Sequence, residues 1–322
     1  TCLVMMEVVR MKTIKIGLLG LGNIGTGTYK TLEMNRSEIE STLNAKVEIV
    51  KILERDTERD RGITVPKEKF TSDPDEIFQD PEIDIVIELL GGIEPATTFM
   101  LSALKNGKHV VTANKAALAA NYHELINAAK ENNVILRFEA SVGGGIPILG
   151  TLTGPLRANK FEEVMGILNG TTNYILTMMT KEGLDYETAL KDAQEQGFAE
   201  ADPTADVEGI DAANKLTILM ALMFDKYVAP KDIPTTGITE ITKEKIEEAR
   251  SNGCKIKLIA HAWRDENDEI KYEVRPMYIS ATHPLANINK EFNAVFVKGN
   301  AVDDVMFYGK GAGPLPTGSA VL

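Results

Sequence analysis

Over the first 140 residues, short apolar runs rich in β-branched residues alternate with longer stretches in which apolar side chains recur at helical spacing. The runs 13–20, 47–53, 83–88, 108–112 and 134–138 predict strands; 24–32, 95–106 and Tyr122–Glu131 predict helices between them. Short strands alternating with helices imply βαβ units, so a doubly wound parallel sheet is expected over about residues 12–140.

After Ser141 the order of elements changes. A strand at 163–168 precedes helices at 172–180, 186–196 and 211–224, then a helix at 242–251 with Thr242 as its N-cap. Strands are expected at 255–263, 270–279 and 294–298. Helices followed by strands, without strict alternation, predict a second α+β unit over about 141–300. The fold class is therefore α/β, a Rossmann-like doubly wound unit followed by an α+β unit.

Composition narrows the function. The 322 residues carry 35 Lys and Arg against 47 Asp and Glu, a formal charge of −12. That balance opposes a nucleic-acid surface, which needs a positive face to displace counterions. Two cysteines, Cys2 and Cys254, cannot build a disulfide framework or a zinc cluster, which points to a reducing cytoplasm. The four histidines have no metal-ligand spacing and read as structural. No apolar run reaches the ~20 residues of a membrane helix. Residues 1–10 read as an extension before a start at Met11.

Gly20, Gly22 and Gly25, with Asn23 and Ile24 between them, form a G-x-G-x-x-G that follows the first strand and opens the first helix. The first glycine permits the turn, the second lets a pyrophosphate approach the backbone, and the third lets helix and strand pack closely. The second strand ends Glu54-Arg55-Asp56, offering a carboxylate for a ribose 2′-hydroxyl and an arginine for a 2′-phosphate. Arg55, with Arg59 and Arg61 nearby, favours NADP; NAD stays possible, and a solvated loop charge is the competing reading of Arg55.

The richest chemistry lies between Gly197 and Lys215. Asp211 and Lys215 are four residues apart, on one face of a helix whose continuation is strongly apolar, while Glu200 and Asp206 lie on the loop before it. An ion pair drawn under such a helix costs desolvation unless it has a role. Carboxylates suit the ammonium of a zwitterionic amino acid, and lysine suits its oxygen or a proton. Lys115 follows the fourth strand, at the sheet edge where ligands bind in open parallel sheets. A related dehydrogenase of another amino acid and a catalytically silent cofactor-binding sensor are the competing classes; substrate screening separates the first, and the intact charged set speaks against the second.

These segments together resemble the homoserine dehydrogenase family. The resemblance is carried by GLGNIG at 20–25, TANK at 112–115, EASVGGGIPI at 139–148, GILNGTTNYIL at 166–176, GFAEADPTADVEGIDAANK at 197–215, HPLA at 283–286 and GKGAGPLPTGSAV at 309–321. It implies reversible interconversion of L-aspartate 4-semialdehyde and L-homoserine with NADPH or NADH, in threonine, isoleucine and methionine biosynthesis. It further implies that Glu200, Asp206 and Asp211 hold the substrate, with Gly170 and Thr171 beside it. Lys215 and Lys115 would be the acid–base groups, and Lys115 would also reach the cofactor. A sodium ion would bind the loop containing Glu139, Val142, Gly144 and Ile146. The second unit would bind substrate and form a homodimer, and residues from about 300 to 322 would return to the nucleotide unit. Neither the C-terminal ACT-type domain nor the aspartate kinase fusion common in the family is expected within these residues, and the stop at Leu322 reads as a cut inside the last helix.

Overall fold

The computed structural model describes residues 11–322, so the reading of residues 1–10 and Cys2 lies outside the described residues. Six parallel strands form the first sheet: β1 (Lys12–Leu19), β2 (Ala45–Leu53), β3 (Phe70–Thr71), β4 (Ile85–Glu88), β5 (His109–Thr112) and β6 (Leu136–Arg137). Their spatial order is β3-β2-β1-β4-β5-β6, so the chain reverses its direction of winding between β1 and β4. A crevice opens at the carboxyl ends of the strands at such a reversal. Leu18, Leu19, Ile52, Val86 and Val110 are buried, as expected for strands covered by helices on both faces.

The second sheet is antiparallel. It contains β7 (Phe161–Ile167), β8 (Cys254–Arg264), β9 (Ile270–Ser280), β10 (Phe292–Gly299) and β11 (Asp303–Lys310), in the order β11-β10-β7-β8-β9. Val164, Leu258, Ala260 and Val295 share one core with Ile175 and Leu176 of helix Gly170–Glu182 and with Leu216 and Leu219 of helix Ile210–Phe224. Met165, Ile167, Ile259 and Phe296 lie in a separate cluster with the short turn Pro284–Asn287. Edge strand β11 leaves Met306 and Tyr308 exposed.

The sequence reading missed β3, β11 and the helix Arg36–Leu43. The β11 segment, which that reading sent wholly to the first unit, instead completes the second sheet. Its alternation of half-buried and exposed residues is that of an edge strand with one side against the protein. Only after Lys310 does the chain return to the first sheet, where the helix Pro314–Val321 packs on the helix Asn23–Met34. The two backbones touch: a Cβ placed on Gly27 would lie 2.1 Å from the carbonyl oxygen of Pro314, and one on Gly318 2.7 Å from the carbonyl carbon of Gly27. Gly27→Val is expected to destabilise the protein by about 1–3 kcal/mol through overpacking, read as a lower urea midpoint; an unchanged midpoint would show that the helices separate freely.

A lysine is buried in the second unit without a carboxylate. The Lys257 ammonium donates to Asn173 Oδ1 at 2.9 Å and to the carbonyl of Ile288. Burial, reinforced by Lys255 and Lys181, pushes its pKa from 10.5 down to about 7. Between those values the unfolded chain holds a proton that the folded chain has lost, so this group makes stability rise with pH from about 7 to about 10. Lys257→Met is expected to flatten that rise by about 1–2 kcal/mol between pH 7 and pH 9 in urea titrations.

Candidate active site

The glycine loop has the geometry that phosphate binding requires. Gly20 adopts φ +91°, and a Cβ on Gly25 would lie 2.2 Å from the carbonyl oxygen of Gly20, so both positions demand glycine. A Cβ on Gly22 would meet nothing within 4 Å. That open space lies over the start of helix Asn23–Met34, whose N-cap supplies no side-chain hydrogen bond, leaving first-turn N–H groups for an anion. Gly22, Asn23 and Ile24 line a cleft of about 1230 Å³ that continues past Lys115 to Lys215.

At the tip of β2 the geometry departs from the sequence expectation. Arg55 is exposed and does not line the cleft, whereas Arg59 and Arg61 do. The reason is local. The Glu54 carboxylate accepts from the backbone N–H groups of Leu21, Arg55 and Asp56 at 2.9, 2.8 and 3.1 Å, which turns the chain sharply and carries Arg55 away. Arg61 is also committed, donating to the carbonyls of Leu21, Arg59 and Asp56 at 2.7, 3.0 and 2.7 Å. The exposed Arg59 guanidinium makes no hydrogen bond or ion pair among the described residues.

The charged centre lies where the two units meet. Helix Ile210–Phe224 buries Leu216, Ile218, Leu219 and Met220, so Asp211 and Lys215 on its first turns are drawn below the surface with it. Asp211 bridges two ammonium groups: Oδ2 lies 2.6 Å from Lys215 Nζ, and Oδ1 lies 3.0 Å from Lys115 Nζ, which comes from the first unit. Lys215 also donates to the carbonyl of Leu168 at 2.6 Å. Asn114 caps the helix Lys115–Ala120 by accepting from the Ala117 N–H, which fixes where Lys115 leaves the backbone.

Charges in this group shift one another. Burial opposes ionisation of Asp211, yet Lys215 and Lys115 hold its carboxyl well below the usual carboxylate range. Burial, only partly offset by Asp211, pushes Lys215 below the ordinary lysine value, and the Lys115 charge adds to that. Lys115, with 41% of its side chain exposed, is raised by the Asp211 carboxylate. Two adjacent lysines are thus driven apart, a pattern that separates a group ready to lose a proton from one that keeps its charge.

A second carboxylate, Asp206, is joined to the first by a residue that the sequence reading overlooked. Asn169 Nδ2 donates to Asp206 Oδ1 at 2.7 Å and to Asp211 Oδ2 at 2.9 Å, while its Oδ1 accepts from the Thr172 N–H and caps helix Gly170–Glu182. The available signal was asparagine directly before a helical run, a capping position. The Thr171 hydroxyl lies 3.1 Å from Asp206 Oδ2 and 2.5 Å from the Phe198 carbonyl. A Cβ on Gly170 would lie 2.7 Å from the Glu291 carbonyl oxygen, so a larger residue could not occupy that wall. Gly170, Thr171, Glu200, Asp206, Asp211, Lys115 and Lys215 all line the cleft, with Glu200 exposed at its rim.

The loop after Phe138 is mixed. Gly144 lines the cleft, but the Glu139 carboxylate accepts from the N–H groups of Leu149 and Gly150 at 2.9 and 2.5 Å, and the Ile146 carbonyl accepts from Ile148 at 2.8 Å. The carbonyls of Val142 and Gly144 receive no hydrogen bond among the described residues. No cluster of three or more His, Cys, Asp or Glu suited to a metal occurs among the described residues.

Comparison with known proteins agrees with this geometry. Residues 20–139 match the family model described as homoserine dehydrogenase, NAD binding domain, and residues 147–322 match that of homoserine dehydrogenase. The homoserine dehydrogenase of Bacillus subtilis is 46% identical over 97% of this chain and 72% of its own length, and that of Synechocystis is 44% identical over 96% and 72%. The crystal structure of a homoserine dehydrogenase from Thiobacillus denitrificans superposes with a TM-score of 0.92 at 44% identity, covering 97% of this chain and 72% of that one. A hyperthermophilic archaeal homoserine dehydrogenase in complex with NADPH gives 0.80 at 26% identity, covering 96% and 95%. With both family models matching in order and relatives above 40% identity along nearly its whole length, the chain belongs to the homoserine dehydrogenase family.

Proposed function

We propose that Lys215, Lys115 and Asp211 carry the proton chemistry of the family's reaction in this chain, the NAD(P)-dependent interconversion of L-homoserine and L-aspartate 4-semialdehyde. The observation that carries this reading is the Asp211 carboxylate held between two ammonium groups at the wall of the cleft. The bound nicotinamide supplies or accepts the hydride. As an aldehyde is reduced, negative charge grows on its oxygen, and a lysine beside it stabilises and protonates that oxygen. In the oxidative direction a neutral Lys215 takes the hydroxyl proton, which its lowered pKa favours. Glu200 and Asp206 receive the substrate ammonium, with Gly170 and Thr171 shaping the wall beside it. Purified protein given L-homoserine with NADP or NAD should reduce the cofactor, seen as absorbance growth; no turnover with either would sink the reading.

NADP is the favoured cofactor, through Arg59 in place of Arg55, because Glu54 is already occupied by three N–H groups and is poorly placed to receive a ribose diol. Arg59→Ala is expected to raise KM for NADP about tenfold or more while leaving KM for NAD within about twofold, since one charge-assisted contact to a phosphate is lost. A sodium ion bound through the Val142 and Gly144 carbonyls, with Glu139 and Ile146 bracing the loop, fits the free carbonyls there; potassium and sodium salts should then differ in their effect on turnover. The chain is best divided into a nucleotide unit of about 12–140, joined by the return after Lys310, and a substrate unit between. A cytoplasmic homodimer, joined through the second sheet where Met306 and Tyr308 are exposed, is the state that light scattering should find.

A further inference from the structure

Glu88 is fully buried at the carboxyl end of β4, the strand beside the reversal point of the first sheet. No cation pairs with it among the described residues, and burial raises its pKa. A buried carboxylate without a counter-ion is costly, and an apolar residue would serve the sheet better. Its oxygens are used in a specific way. Oε2 accepts from the Thr112 hydroxyl at 2.6 Å, and Oε1 accepts from the Leu90 N–H at 2.8 Å, with the Asn114 amide nitrogen 3.5 Å away. Thr112 Oγ1 in turn accepts from the Asn114 N–H at 2.9 Å. Asn114 donates to the Gly92 carbonyl at 2.7 Å and caps the helix that begins at Lys115. One carboxylate therefore ties the turn after β4 to the turn after β5, and the second turn delivers Lys115 to Asp211.

We propose that Glu88 is a positioning residue for Lys115, acting through the Thr112 hydroxyl and the Asn114 cap without touching substrate or cofactor. This inference rests on the role assigned above to Lys115. If the link acts through Lys115, losses at Glu88 and at Lys115 must not multiply. The test is kcat for homoserine oxidation in Glu88→Leu, Glu88→Gln, Thr112→Val and Lys115→Ala, and in Glu88→Leu and Thr112→Val each combined with Lys115→Ala, with the NADP dissociation constant measured by fluorescence. Glu88→Leu and Thr112→Val should each lower kcat about tenfold in the parent but by less than about twofold in the Lys115→Ala background. Glu88→Gln, which keeps an oxygen acceptor, should stay within about threefold of the parent, and NADP affinity should change little in the variants that keep Lys115. Equal fold losses in both backgrounds, or full activity in folded Glu88→Leu or Thr112→Val, would overturn the inference. Should Glu88→Leu fail to fold, Thr112→Val cuts the same link conservatively and decides the matter. Full activity in Lys115→Ala alone would instead remove the underlying role of Lys115, and this inference with it.

Discussion

Lys215→Ala and Lys115→Ala are each expected to lower kcat by about 10²-fold or more, the usual size of a lost proton transfer or of a lost charge beside a reacting oxygen. The two losses should differ in kind. Of the three donors on Lys215, one is used by Asp211 and one by the Leu168 carbonyl, leaving one for a ligand in the cleft. In homoserine oxidation the neutral form of Lys215 is the active one, so the rate should rise with pH through the pKa of this group. Lys115 contributes a positive neighbour that lowers that pKa. Removing Lys115 therefore raises it, and the ascending limb of the pH profile should move to higher pH in Lys115→Ala. In Lys215→Ala that limb should disappear from the residual activity. Unchanged kcat in both variants would remove the acid–base assignment, and an unmoved limb in Lys115→Ala would show that the coupled pair does not govern the profile.

Asp211→Asn is expected to be the most damaging single change to both activity and stability. The parent carboxylate neutralises one buried ammonium and one partly exposed ammonium. Removing its charge leaves Lys215 buried beside another cation, and stripping one partner from a buried pair costs about 3–5 kcal/mol. The pH dependence follows from the sign of the shifts. Lys215 already has a folded pKa below its unfolded value, and losing Asp211 lowers the folded value further. Over the widened interval up to ~10.5 the unfolded chain binds the extra proton, so the stability of the variant rises with pH. Urea midpoints at pH 7 and pH 9.5 should thus show a deficit against the parent that narrows at the higher pH. A deficit that stays constant would mean that Lys215 is not the uncompensated charge. Activity should fall by at least the ~10²-fold expected of either lysine, because both lose their anchor.

Much of this molecule could be read from local pattern, and the exceptions have physical causes. Five of the six strands of the first sheet were legible because each holds a short run rich in β-branched residues, set between stretches with helical spacing. The sixth, β3, has two residues and no period to detect. Strand β11 escaped because its apolar run is only the four residues Val305–Tyr308, set between two aspartates and a glycine–lysine pair that resemble loop ends. The pairing of Asp211 with Lys215 was legible because one helix carries both at a spacing of one turn. Arg55 is a case of a different kind: the strand end was identified correctly, and it is Arg59 rather than Arg55 that lines the cleft, with Arg55 exposed beside the turn held by Glu54.

The sequence by itself determined the two-unit architecture, the glycine loop at the start of the first helix and the residue types available for chemistry, because each depends on local pattern and spacing. Only the tertiary structure decided which groups act together. Lys115 and Asp211 are 96 positions apart and meet because two units pack at one seam, where the Asp211 carboxylate raises Lys115 while burial pushes Lys215 down. The bridging role of Asn169 and the buried link from Glu88 to the start of the Lys115 helix likewise arise from contacts between distant segments, and no periodicity along the chain encodes them.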